Sequence, residues 1–520
     1  MPRHLPLLRF KNLLVALSLL AALPLAAAAA PPDDKATNSP ATNAPAAKGE
    51  LARIPDASYR PVTITNSVTI AGEHVTYTAE TGMLPVLDND GTSRASIFYV
   101  AYIRQGTTNS SRPVTFCFNG GPGSASVWLH MGALGPKRAK LNPDGTQPPP
   151  PGVLVDNNFS ALNVSDLVFI DPVATGFSRA KDDKARDFFG NTADLDSMGE
   201  FIRLWTTRHD RWLSPKYLCG ESYGVFRAAG LADHLRGRYG MYLNGLILIS
   251  GVLDFATISP GTDNDLPYPL ILPAYTAAAH FHKKLPPDLQ ADLDQALAES
   301  RTFARGEYLA ALQAGAGISE DEKKKVAAEL ARLTGLPPRI IQDNQLRVGP
   351  EVFRKQLLHD EGLILGAYDA RITGRDDNPA ATGPGFDPSS AAAMGAFASG
   401  FNAYVRTELK FEDDLPYDIL AGVQPWNYGA HNDYPNASDS LASVMNQIPY
   451  LRILVCGGRC DLVCPIDTVR HSLEHTPLAD AYRKNITFAE FAAGHMMYIN
   501  LPDLEKLQGE ITKFEKTANQ

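Results

Sequence analysis

The chain has 520 residues, 44% of them hydrophobic, with 41 glycines and 39 prolines, enough to bury a large core in one big domain with an insertion or in two domains. Its formal net charge is −9 and no basic run is long enough to follow a phosphate backbone, which excludes a nucleic-acid partner. Five cysteines (117, 219, 456, 460 and 464) form no even framework, and the spacing Cys456-x3-Cys460-x3-Cys464 lacks the paired Cys-x2-Cys knuckles of a zinc site, so no metal is expected.

In chain order, Arg3, Arg9 and Lys11 precede the apolar run LLVALSLLAALPLAAAAA (13–30), and no acid occurs before Asp33. This is the pattern of a secretory signal peptide over residues 1–30, and Pro24 with the Ala-rich exit favours cleavage over a retained membrane anchor. The expected location is extracytoplasmic, periplasmic or secreted, with no membrane span left after cleavage. Residues 31–54 read as a disordered linker, rich in Pro, Ala and Asn.

Residues 55–255 alternate like strands and then like strand–helix pairs. SVTIAGEHVTYTA predicts a hairpin turning at Ala71-Gly72, followed by strands in ASIFYVAYI, PVTFCF and SDLVFID. A helix over 191–212 presents Leu195, Met198, Phe201, Ile202 and Trp205 on one face. KYLCG, VFRAAGLADHL and NGLILISG continue as strand, helix, strand, which implies parallel pairing in an α/β sandwich. From 256 to 445 the rhythm stops, and helices over 287–299, 302–314, 319–334 and 351–359 predict a helical cap insertion. Ser319-Glu-Asp-Glu322 is a capping box, and Gly335 ends that helix. Residues 446–520 return to the core with strands in LRILVCGG and NITFAEF.

The chemistry sits between strand and helix at Gly220-Glu-Ser-Tyr-Gly224, a G-x-S-x-G nucleophile elbow in the context that exposes a serine Oγ above a sheet. A serine needs a base and the base an orienting acid, and in this architecture they follow as Ser, Asp, His at the ends of the last strands. Asp461 lies just past RILVCGGRC and His495 just past NITFAEFAAG, so Ser222, Asp461 and His495 form the candidate triad. Acyl transfer builds an oxyanion that needs preorganised N–H donors, each worth about 3–4 kcal/mol. The bare backbone of FCFNGGPGSAS (116–126), at Gly120 and Gly121, supplies them together with the N–H of Tyr223. His471 and His475, four apart, lack a third ligand and read as a solvated helix face.

The stretches NGGPG, DPVATGFS (171–178), GESYG, CDLVCP (460–465) and GHMMY (494–498), in this order, resemble the serine carboxypeptidases, peptidase family S10 of the α/β-hydrolase superfamily, in a bacterial-type member. The resemblance implies an α/β-hydrolase fold with a helical cap, no cofactor or metal, and peptide substrates with a free C-terminal carboxylate. It makes Ser222 the nucleophile, His495 the base and Asp461 its orienter. Asn119 and Glu221, with Gly120, match the group that grips the terminal carboxylate, and Cys464 and Met496 match residues lining the substrate pockets. Three positions depart from the pattern: Cys117 stands where the family has Trp, Ala133 where it often has a second supporting Glu, and Ser124 where it has a half-cystine. The alternative on the same triad is a secreted esterase or acyltransferase, and beyond enzymes a binding protein without catalysis.

Overall fold

The computed structural model describes residues 61–107, 111–431 and 433–518, so the expected signal peptide and linker lie outside the described residues. Nine strands run through the main sheet: β1 (Val62–Ile70), β2 (Glu73–Leu87), β3 (Ser93–Arg104), β4 (Val114–Phe118), β5 (Asp166–Ile170), β6 (Lys216–Glu221), β7 (Gly245–Ile249), β8 (Arg452–Gly458) and β9 (Ile486–Phe491). Their spatial order is β1-β2-β3-β5-β4-β6-β7-β8-β9, and the two-residue stretch Arg179–Ala180 pairs with β3 as a tenth. The hairpin β1–β2 turns at Ala71 and Gly72, both at positive φ (47° and 85°), the backbone that a two-residue hairpin loop requires.

From β5 to β9 every pairing is parallel. β4, β5 and β7 are buried at every residue. That is why VTFCF, DLVFI and GLILI read as unbroken apolar runs rather than as alternation. Helices cover both faces. One face packs against Met198, Phe201, Ile202 and Trp205 of helix α1 (Asn191–Arg208) and against Val225, Ala228 and Leu231 of α2 (Tyr223–Tyr239). The other face meets the last helix, Leu501–Ala518, through Leu504, Leu507, Ile511 and Phe514. This strand order, with helices on both faces, is the α/β-hydrolase fold.

The apolar side chains of the segment 256–445 divide among three cores. Its first helices, α3 (Pro267–Phe281), α4 (Leu293–Phe303) and α5 (Glu320–Thr334), build a core of their own that reaches Cys460 and Leu462. In α5 the Ser319 hydroxyl accepts from the Glu322 N–H at 3.2 Å and Gly335 stops the helix at φ 70°. The helix Pro388–Thr407 instead lays Phe397, Phe401 and Tyr404 into the sheet core, beside Trp128 and His130. The helix Ser438–Gln447 joins the opposite face through Leu441, Val444 and Met445. α3 is hidden in the sequence by Pro267, Pro269 and Pro273, yet the first two lie in its opening turn, where a missing N–H costs nothing. A two-stranded pair, Leu363–Leu365 with Thr373–Arg375, interrupts the helices where no strand is expected. All five cysteines are buried and unpaired.

Candidate active site

The elbow is built by close backbone approach. A Cβ on Gly220 would lie 2.1 Å from the Gly224 carbonyl oxygen, so β6 can pass into α2 only through glycine there. Ser222 takes φ 61° and ψ −128°, a backbone state costing about 1–3 kcal/mol that the surrounding sheet must hold. Its N–H donates to the Ile249 carbonyl of the neighbouring strand at 3.0 Å. Ser222 stays partly exposed while Glu221 and Tyr223 on either side are buried.

β4 lies directly beside β6, with Phe118 opposite Gly220. The loop that follows therefore falls onto the elbow, and a Cβ on Gly120 would meet the Tyr223 nitrogen at 2.4 Å. Gly121, at φ 100°, is exposed next to it. The loop is tied down by Asp171, whose Oδ1 accepts from the Ser126 N–H at 2.8 Å and from its hydroxyl at 2.7 Å. Two of the motifs, NGGPGSAS and DPVATGFS, thus meet in one anchor. Burial pushes the Asp171 carboxyl up to about 6 against these hydrogen bonds.

His495 Nδ1 lies 2.8 Å from Asp461 Oδ2, both residues being buried. The other oxygen of Asp461 accepts from the N–H groups of Val463 and Cys464 at 2.8 and 2.9 Å, fixing the carboxylate from behind. Burial pulls the His495 imidazole down, but the Asp461 charge and hydrogen bond more than offset it, so its affinity for a proton is raised. The loop after Leu365 braces both residues. Ala370 N–H donates to the Cys460 carbonyl at 3.0 Å, Leu462 N–H to Ala367 at 3.1 Å, and His495 N–H to Tyr368 at 2.5 Å. The Tyr368 ring packs on the imidazole with centroids 5.2 Å apart. Burial, with the Asp461 charge adding to it and Ser222 opposing it, holds the Cys464 thiol well above its ordinary range, so it stays neutral.

Next to Ser222, Asn119 Nδ2 donates to Glu221 Oε2 at 2.9 Å, and Asn119 Oδ1 accepts from the Leu129 N–H at 3.1 Å, which sets the amide's orientation. The Tyr498 hydroxyl donates to the same carboxyl, 2.8 Å from Oε2 and 3.1 Å from Oε1. Burial pushes Glu221 up to about 7, with His495 and these two donors pulling the other way. Behind them Arg227, fully buried, pairs with Asp194 at 2.7 Å.

The structure thus joins Gly120 to Tyr223, Asn119 to Glu221, and Asp461 to His495 and Cys464. Met496 is buried in the sheet core beside His495. Cys117 and Ala133, two of the three departures, are buried apolar positions of the same core. Tyr498 and Tyr368 escape sequence reasoning. Tyr498 had a signal, a hydroxyl three residues past His495 in an apolar run; Tyr368 had none. His471 and His475 lie with their rings tilted by 32° and centroids 3.9 Å apart, and among the described residues no group of three or more His, Cys, Asp or Glu side chains is placed to hold a metal.

Residues 71–299 match the family model described as serine carboxypeptidase. Serine carboxypeptidase-like 16 of Arabidopsis thaliana is 29% identical over 187 residues, 34% of this chain and 40% of its own length. Serine carboxypeptidase-like 45 of the same plant is 26% identical over 175 residues, 32% of this chain and 36% of its own length. The chain therefore matches well under half the length of these curated relatives. Among solved structures, proline iminopeptidase from Mycobacterium smegmatis aligns at 14% identity and a TM-score of 0.34, covering 88% of this chain and 99% of that one. The family match contains Asn119, Glu221 and Ser222 and ends before Asp461 and His495, which the geometry alone brings together.

Proposed function

We propose that this chain, which belongs to the serine carboxypeptidase family, is a serine-type carboxypeptidase that releases C-terminal residues from peptides through an acyl-enzyme, best at mildly acidic pH. Ser222 Oγ attacks the scissile carbonyl carbon as His495 Nε2 takes its proton, with Nδ1 held by Asp461. The oxyanion falls to the N–H groups of Gly121 and Tyr223. The imidazolium returns the proton to the departing amine, and water, activated by the same imidazole, releases the acyl group.

The observation that carries the reading is the buried Glu221 carboxyl beside Ser222, inclined to hold its proton up to about pH 7. A substrate carboxylate can approach that position only if one of the two acids is neutral. A protonated Glu221 then donates to it a charge-assisted hydrogen bond worth about 1.5–3 kcal/mol. Ala133 in place of a second acid favours, as a second reading, an esterase or acyltransferase on the same triad. Comparing kcat/KM for a blocked dipeptide with that for its amide and its methyl ester separates the two. Carboxypeptidase action requires a preference for the free acid over the amide, and equal rates on both would sink it. Export belongs to the same proposal: N-terminal sequencing of extracytoplasmic protein should begin at about residues 27–33.

A further inference from the structure

At the post where the family pattern often has a second glutamate stands Ala133, inside the wide turn His130–Leu134. The neighbouring Gly132 has no side chain, and a Cβ there would lie 2.5 and 2.7 Å from Cε2 and Cδ2 of Tyr498. The Cδ2–Cε2 edge of the tyrosine ring therefore occupies the space that a side chain at 132 would need. Tyr498 is 2% exposed, and its hydroxyl ends on Glu221.

We propose that Tyr498 takes over the work of the absent second acid: it is a positioning residue that orients the Glu221 carboxyl to donate to a substrate's terminal carboxylate. The inference rests on the carboxypeptidase reading. Tyr498 and Asn119 both give their shorter bond to Oε2, at 2.8 and 2.9 Å, whereas Oε1 receives only the 3.1 Å contact from the same hydroxyl. Two donors converging on one oxygen keep that oxygen an acceptor. Oε1 is then the atom left to carry the proton and to donate it. A second acid would add a charge that competes for the proton, and a phenol does not.

The other titratable groups facing Glu221 are His495, Asp461, the thiols of Cys219 and Cys464, and the Tyr368 hydroxyl. Burial raises both thiols and both phenols above their ordinary ranges, so they stay neutral near pH 7. Only His495 and Asp461 can then carry charge beside Glu221.

The test is Tyr498→Phe, which keeps the ring on Gly132 and removes the hydroxyl. kcat/KM is measured against pH for a blocked dipeptide and its methyl ester, in wild type, Y498F, E221Q and the double variant. Losing a donor makes the Glu221 anion harder to form, so the alkaline limb of the peptide profile should move up by about half to one pH unit. Peptide KM should rise about tenfold with kcat within about threefold, as expected for lost carboxylate orientation. The ester's limbs should stay in place, and adding Y498F to E221Q should move no limb. If Y498F lowers stability and both activities alike while the peptide's alkaline limb stays put, Tyr498 is only a packing residue and the inference is overturned. Coinciding wild-type peptide and ester profiles would instead overturn the carboxypeptidase reading itself, and this inference with it.

Discussion

Gly120 and the backbone nitrogen of Tyr223 lie so close that a single added carbon on Gly120 would stand 2.4 Å from that nitrogen. The same carbon would be 2.7 Å from the Glu221 carbonyl oxygen and 2.8 Å from the Gly224 nitrogen. All three neighbours are main-chain atoms of the elbow, which have no rotamer to yield. The loop after β4 and the start of α2 thus pack main chain against main chain.

Gly120→Ala must therefore push the loop off the elbow. Because the N–H of Gly121 follows directly, kcat should fall by about 10²–10³, the effect of losing an oxyanion donor. KM for an ester should change little, since the lost interaction belongs to the transition state. Stopped-flow acylation with a p-nitrophenyl ester checks this, and an unchanged acylation rate would remove Gly121 from the oxyanion site.

The triad is tested by Ser222→Ala, His495→Ala and Asp461→Asn. The first two should each lower kcat by about 10⁴–10⁶ with folding retained. Asp461→Asn should cost on the order of 10⁴, because an amide at 2.8 Å from Nδ1 favours the wrong imidazole tautomer. Near-normal turnover in Asp461→Asn would mean that another acid orients His495.

Much of this site is legible in the sequence because its parts are local. A strand, a turn that tolerates only small residues and a helix lie within the nine residues from Lys216 to Gly224, and Asp461 and His495 each directly follow an apolar run. The supports are not local. Tyr368 reaches His495 from a loop more than a hundred residues away in sequence, stitched to Cys460 and Leu462 by backbone hydrogen bonds that any residue can make. Tyr498 bonds Glu221 across 277 residues, and nothing in the spacing of GHMMY shows which way its ring turns. The division of residues 256–445 is hidden for a related reason. The apolar faces of Pro388–Thr407 and Ser438–Gln447 identify helices, but not which of three cores each one enters.

Glu515 offers a test of stability away from the site. It is 1% exposed, accepts from the Thr115 hydroxyl at 3.1 Å with Oε1, and has no partner on Oε2. Burial pushes its carboxyl up to about 8, opposed by Thr115 and Arg112. A raised carboxyl contributes stability that is fully present below its unfolded value of about 4.3 and is lost as pH rises through the folded value. Urea unfolding should therefore show wild type losing stability between pH 5 and pH 8. Glu515→Gln should flatten that decline and exceed wild type at pH 8 by about 1–3 kcal/mol. A decline equally steep in the variant would mean that Glu515 is ionised in the folded protein throughout.

The pH profile of peptide hydrolysis follows from Glu221 and His495 together. The reactive form has a proton on Glu221, to receive the substrate carboxylate, and none on His495 Nε2, which must act as base. Its competitor has the same net charge, with the proton on the imidazole and Glu221 ionised. The Glu221 anion raises the imidazole's hold on its proton, and the imidazolium lowers the carboxyl's hold on its own, so the two titrations are linked. The two limbs of the peptide profile thus belong to the pair and not to either residue. Activity should rise with pH as the pair loses its first proton and fall again through about 7, where Glu221 ionises. An ester has no carboxylate to place beside Glu221, so its profile should rise with His495 and then stay level above pH 7. In Glu221→Gln the amide can still donate but cannot ionise, so the peptide's alkaline fall should disappear. Its acid limb should also move down, because His495 loses the neighbouring negative charge that helps hold its proton. The measurement is kcat/KM from pH 4 to 9 for a blocked dipeptide and its methyl ester, in both proteins. If the variant's peptide profile keeps the wild-type alkaline fall, the group titrating there is not Glu221, and the carboxylate is gripped elsewhere.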